Sequence, residues 1–136
     1  SEALNMYYFY QGSDATDLEA AYGKVKDYAR CIGYHLKDEP SSAQMDALAE
    51  LCKSFKEKDP SRMAYVNLFP SYAGATNLGG TYRDYITKWA NLYGSEYPED
   101  MFYFDHYPFT QTEDVRSTYF SDLEVIRDVA YKNGNL

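Results

Sequence analysis

The sequence predicts an α/β fold, a half-barrel of about four parallel strands alternating with helices, that is, part of a (β/α)8 TIM barrel. Three apolar runs carry this expectation. The run beginning at Cys31 stops at Asp38-Glu39-Pro40, the run beginning at Ala64 stops at Pro70, and the run beginning at Met101 stops at Pro108 and Phe109. Each is short, ends in polar or aromatic groups with a proline nearby, and is followed by a helical pattern. Such groups collect on the C-terminal face of a β/α barrel, where barrel enzymes keep their sites. The alternation itself implies a parallel sheet with right-handed crossovers.

The first strand is expected over residues 4–10, with Gly12-Ser13-Asp14 as the loop behind it. A helix follows from about Asp17, because Leu18, Ala21, Tyr22, Val25 and Ala29 recur at three- and four-residue spacing. The second strand covers residues 32–37. After Pro40, Ser41 or Ser42 caps a helix with the inner stripe Met45, Leu48, Ala49, Cys52 and Phe55, which Asp59-Pro60-Ser61 ends. The third strand spans residues 63–69. Residues 71–80 are rich in glycine and asparagine and form a long strand-to-helix loop, which is expected to carry function. Thr81 caps the next helix, whose stripe of Tyr82, Tyr85, Ile86, Trp89, Ala90 and Tyr93 is closed by Gly94; Trp89 belongs to the core. The fourth strand is expected at residues 101–105. The last helix runs from near Glu113 to Lys132, with Tyr119, Phe120, Leu123, Ile126 and Ala130 inward and Gly134 as its stop. Asn135 stands where a further strand would begin, and residue 1 is not methionine. These ends are expected of one partial-barrel domain, residues 1–136, excised from a larger enzyme.

With 136 residues, 45% of them apolar and 18% aromatic, the chain can bury a real core and is no disordered tail. A net charge of −8 repels phosphate backbones and argues against a nucleic-acid partner. No apolar stretch approaches the roughly 20 residues of a membrane span, and no basic-then-apolar leader opens the chain, so a soluble protein with no membrane partner is expected. The compartment stays open, with a secreted or periplasmic parent as one expectation. Cys31 and Cys52 lack CxxC spacing, and with two histidines in all no metal site and no cofactor are expected. The cysteines read as buried free thiols. The 16 tyrosines suit either a core or a sugar-facing surface, since each offers an apolar ring and a hydroxyl.

Residues 33–41, 65–70, 104–109 and 119–127 resemble, in order and spacing, the middle of bacterial glycoside hydrolases with clan-A type (β/α)8 barrels. The resemblance covers about residues 30–132. It implies that Glu39 is the general acid/base and that Asp38 binds a substrate hydroxyl, with a carbohydrate as the substrate. In that clan the nucleophilic glutamate ends the seventh strand. If the strand ending in Asp38-Glu39 is the fourth, the strand of Asp105 is the sixth, and the second carboxylate lies outside this chain. The isolated chain is then expected to be inactive.

The residues themselves leave alternatives. Asp38-Glu39-Pro40 also fits a helix start, where acids meet the positive end of the dipole and proline suits the first turn. Strand alternation puts His35 and Glu39 on one side and Asp38 on the other; His35 is either a core histidine or a ligand. Asn67 either contacts sugar hydroxyls or satisfies loop backbone. Asp105, His106 and Tyr107 form either a substrate-pocket wall or a turn. Asp105 lies two strands from Glu39, roughly 9–10 Å away, which matches an inverting separation at best. Two readings compete with a hydrolase fragment: a non-catalytic carbohydrate-binding or structural domain, and a half-barrel completed by homodimerisation through its open sheet edges.

Overall fold

The computed structural model describes residues 4–12, 15–100, 102–112 and 114–134. Its elements alternate as expected: β1 (Met6–Phe9), α1 (Leu18–Val25), β2 (Cys31–Asp38), α2 (Met45–Lys58), β3 (Met63–Leu68), α3 (Ala75–Leu78), α4 (Tyr82–Trp89), β4 (Tyr103–Phe104) and α5 (Tyr119–Lys132). The four strands form one sheet in the order β1-β2-β3-β4, and every pair is parallel. This is an α/β fold consistent with a half-barrel. A sequential, all-parallel order requires each crossover to have the same hand, which sends the helices to one face of the sheet.

On that face Tyr34, Leu36, Ala64, Val66 and Leu68 alternate along their strands and join Leu48, Cys52 and Phe55 of α2 and Tyr85, Ile86 and Trp89 of α4 in one core. Trp89 is thus core, and Cys31 and Cys52 are buried and unpaired. The α2 segment is preceded by a capping box of Ser41 and Gln44, and α4 by one of Thr81 and Asp84. After Trp89 the chain widens into a π turn over Ala90–Gly94.

Two polar clusters hold the sheet from its N-terminal side. Arg62 pairs with Asp59 at 2.7 Å and donates to the carbonyls of Cys31, Val25, Lys26 and Tyr28. The carboxylate of Asp59 also accepts from the Tyr34 hydroxyl. Lys56 and Asp100, both buried, pair at 3.1 Å, and Asp100 accepts from the Ala64 amide and the Tyr93 hydroxyl.

The C-terminal third differs from the expectation. The last helix begins at Tyr119 because residues 107–112 and 114–116 lie against each other as a ribbon, with a bridge between Phe109 and Val115 and a 2.7 Å bond from the Arg116 amide to the Pro108 carbonyl. Its buried face is also rotated. Ala130 is buried and Ile126 packs against the core as expected, but Phe120 and Leu123 are exposed while Asp122 and Val129 are buried, because Asp122 docks the helix by accepting from the Ser71 amide and facing His106. The expected loop over residues 71–80 contains a tight turn at Ser71–Ala73 and the short α3, and Gly79 takes the left-handed backbone (φ 68°). The expected starts at Met101 and Glu113, part of the first loop at Ser13-Asp14, and the expected strand start at Asn135 lie outside the described residues.

Candidate active site

Two irregularities of β2 decide what stands at the C-terminal edge of the sheet. His35 pairs with Tyr65 and Lys37 with Val66, so Leu36 is an extra residue without a partner in β3. This bulge shifts the alternation by one residue. Asp38, which strict alternation set apart from His35, comes opposite Asn67 and accepts a 2.9 Å hydrogen bond from its side-chain amide. Glu39 then leaves the strand with φ 45°, and among the described residues no other non-glycine has positive φ. Such a backbone costs about 1–3 kcal/mol and persists only where the surroundings impose it. They do so here through the Glu39 amide, which donates to the Asn67 carbonyl at 2.8 Å, and through Pro40, whose carbonyl accepts from the Tyr85 hydroxyl at 2.7 Å. The same Tyr85 oxygen accepts from the Phe69 amide, so one buried tyrosine ties together the ends of β2 and β3.

Asp105 reaches the same edge one residue past β4, with its amide bonded to the Leu68 carbonyl at 2.9 Å. Burial, followed by the charges of Asp105 and then Asp38, holds the Glu39 carboxyl above the ordinary glutamate range. Tyr65 is raised by burial and by the same two aspartates, and Tyr107 is raised first by Asp105 and further by burial, Glu39, Tyr72 and Asp38. Asp38, Glu39, Asp105, Tyr65 and Tyr107 therefore share one electrostatic neighbourhood. Its ingredients are a carboxyl biased toward its protonated form, two further carboxylates and an amide that orients one of them. That set can donate a proton and bind hydroxyl groups.

Below this edge, on the face away from the helices, lies an aromatic layer. The ring of Tyr65 packs against those of Tyr103 (4.3 Å between centroids), His35 (4.5 Å) and Tyr7 (5.0 Å), and the Tyr7 and Tyr103 hydroxyls are 2.9 Å apart. Gly33 makes room for it, since a Cβ there would meet the Met63 carbonyl oxygen at 2.7 Å and the Tyr7 ring at 2.8 Å.

Of the sequence-predicted site residues, Asp38, Glu39, Asn67, Asp105 and Tyr107 gather at this edge. His35 sits one layer beneath them, between Phe9 and Tyr65, with its Nε2 buried and without a hydrogen-bond partner. His106 does not join the cluster. Its side chain is buried against α5, 3.4 Å from Asp122 and 3.3 Å from the Thr118 hydroxyl, with the Tyr72 and Tyr119 rings around it. Sequence reasoning passed over Tyr65 and Tyr103, although each stands two residues before a singled-out residue, Asn67 or Asp105, and so shares its side of the strand. A cavity of about 500 Å³ opens between the end of β2 and α2, lined by Leu36, Lys37, Gln44 and Leu48 among others; the carboxylates are not part of its wall.

Among the described residues no group of three or more His, Cys, Asp or Glu is arranged to hold a metal ion, and no helix is long and apolar enough to cross a membrane. Compared with protein-family models, curated proteins and solved structures, the chain has no match to a family model and no significant match to either of the others.

Proposed function

We propose that this chain is part of a (β/α)8 glycoside hydrolase, with Glu39 as its general acid/base. The observation that carries the reading is the Glu39 carboxyl, placed at the C-terminal end of a parallel strand in a strained backbone and biased toward its protonated form by burial and two neighbouring carboxylates. A hydrolase of this kind needs a protonated carboxyl beside the glycosidic oxygen. Glu39 gives its proton to that oxygen as the bond to the anomeric carbon breaks, and the bonding electrons leave with the oxygen. Asp38, steadied by Asn67, accepts a hydrogen bond from a substrate hydroxyl.

The positive charge that develops on the sugar requires a second carboxylate. Asp105 stands on the far side of β3 from Glu39, two strand spacings or roughly 9–10 Å away, which suits activation of a water in inversion better than direct attack. A retaining nucleophile would come from outside the described residues. Completion of the barrel draws on the open β1 edge, where Met6 and Phe9 are more than half exposed. Its partner is either further strands of a longer protein or a second copy of the chain.

The test is Glu39→Gln in the full-length protein, assayed on aryl glycosides. Loss of the acid should slow substrates with poor leaving groups by about 10²–10⁴-fold and spare those whose leaving group needs no proton. Equal rates for mutant and wild type on poor leaving groups would reduce Glu39 to a helix-start acid.

A further inference from the structure

Helix α4 packs on the helical face of the sheet, yet two of its side chains grip the segment that follows Glu39. The Tyr85 hydroxyl donates to the Pro40 carbonyl at 2.7 Å and accepts from the Phe69 amide at 3.2 Å. Three residues on, the Lys88 ammonium donates to the Ser42 carbonyl at 2.9 Å and to Asp46 at 2.6 Å. Residues three apart are neighbours on a helix surface, so both grips come from one side of α4. The Tyr85 ring is itself fixed: it is 1% exposed, belongs to the core, and lies nearly parallel to the Tyr82 ring at 6.5 Å between centroids. Burial pushes the Tyr85 hydroxyl up to about 12, with the bond from Phe69 opposing and the charge of Glu39 adding, so it remains a donor at neutral pH.

Glu39 therefore sits between two pinned groups. The Asn67 carbonyl holds its amide, and Tyr85 holds the next carbonyl along the chain. The ring of Pro40 fixes its own φ. Only φ and ψ of Glu39 and ψ of Pro40 stay soft between the two bonds, which together keep Glu39 at φ 45°, outside the regions where residues with a Cβ ordinarily rest. We propose that Tyr85 is a positioning residue for Glu39: its hydroxyl holds the strained backbone that aims the Glu39 carboxyl at the glycosidic oxygen. The inference rests on the glycoside hydrolase reading and extends that site to a buried side chain of α4. A carboxyl must come within about 2.6–3.2 Å of the oxygen it protonates. Without the Tyr85 bond Glu39 relaxes toward negative φ and swings its carboxyl away, and a misplacement of about 1 Å can cost about 10²-fold in rate.

The test is Tyr85→Phe in the full-length protein, which keeps the ring and removes the hydroxyl. It is read on aryl glycosides of graded leaving-group ability and by carbon-13 titration of the Glu39 carboxyl. On poor leaving groups kcat should fall about tenfold or more with KM changed less than about twofold, while good leaving groups are spared. The Glu39 midpoint should fall as the carboxyl leaves its buried place beside Asp105 and Asp38. Tyr82→Phe, which removes the hydroxyl of the neighbouring ring on α4, should alter neither readout. Lys88→Met, which removes the second grip, should move both in the same sense by a smaller factor, and it decides the matter if Tyr85→Phe does not fold. Losses equal on good and poor leaving groups, no loss at all, or an unmoved midpoint each overturn the inference. A Glu39→Gln variant as active as wild type would instead sink the hydrolase reading, and the midpoint would still report whether Tyr85 holds Glu39.

Discussion

Asp100→Ala strikes the structure where one carboxylate serves three buried partners. It removes the 3.1 Å ion pair with Lys56 and leaves both the Ala64 amide and the Tyr93 hydroxyl without an acceptor. Breaking one side of a buried ion pair costs about 3–5 kcal/mol, and each orphaned neutral donor about 1–3 kcal/mol. These losses overlap. Lys56 also keeps Glu99 at 3.2 Å and the Arg62 carbonyl at 3.4 Å, which places the expected loss near the low end, at about 4 kcal/mol. For a chain of this size that is roughly 15 °C in Tm, a large part of the 5–15 kcal/mol that ordinary domains possess. Urea unfolding followed by circular dichroism measures it. Lys56→Met combined with Asp100→Ala should be more stable than Asp100→Ala alone, because a buried ammonium left with the exposed Glu99 and one carbonyl as partners is removed. A loss under about 1 kcal/mol for Asp100→Ala would refute this account of how β4, and with it Asp105, is held beside β3.

Gly33→Ala should destabilise by about 1–3 kcal/mol, since the new methyl meets the Met63 carbonyl and the Tyr7 ring; unchanged unfolding would show that the aromatic layer is loosely packed. A glutamate with a raised folded pKa contributes stability that is present below its unfolded pKa and lost as pH rises through the folded one. Glu39→Gln should therefore stabilise the chain more at pH 7 than at pH 4, and thermal melts at the two values with the opposite order would contradict the shift. The open β1 edge, with exposed Met6 and Phe9, predicts self-association of the isolated chain, and sedimentation showing a monomer at every concentration would argue against it.

The alternation of strands and helices was legible because each apolar run carries its own period and its own stop signal, as Thr81 and Gly94 do around the α4 region. The residue types of the candidate site were legible, in Asp38-Glu39-Pro40 and Asp105. Its geometry was not. The extra Leu36 in β2 is an ordinary apolar residue in sequence, yet its bulge brings Asp38 to Asn67 and overrides the alternation read from His35 to Glu39. The rotation of α5 was hidden for a related reason. A buried polar contact between His106 and Asp122 outweighs the apolar stripe of Phe120 and Leu123, and nothing local to either residue announces a partner 16 positions away. The fold-back that brings Arg116 to Pro108 likewise depends on Arg116 finding Tyr72 and the Tyr107 carbonyl.

The central claim is that Asp38, Glu39 and Asp105 share one site in which Glu39 is biased toward its protonated form. Titration of the Glu39 side-chain carboxyl by carbon-13 NMR, in the wild type and in Asp105→Asn, tests it most directly. The account predicts a midpoint above the ordinary glutamate value of about 4.3 that falls when the Asp105 charge is removed. A midpoint at or below that value, unmoved by Asp105→Asn, would contradict it.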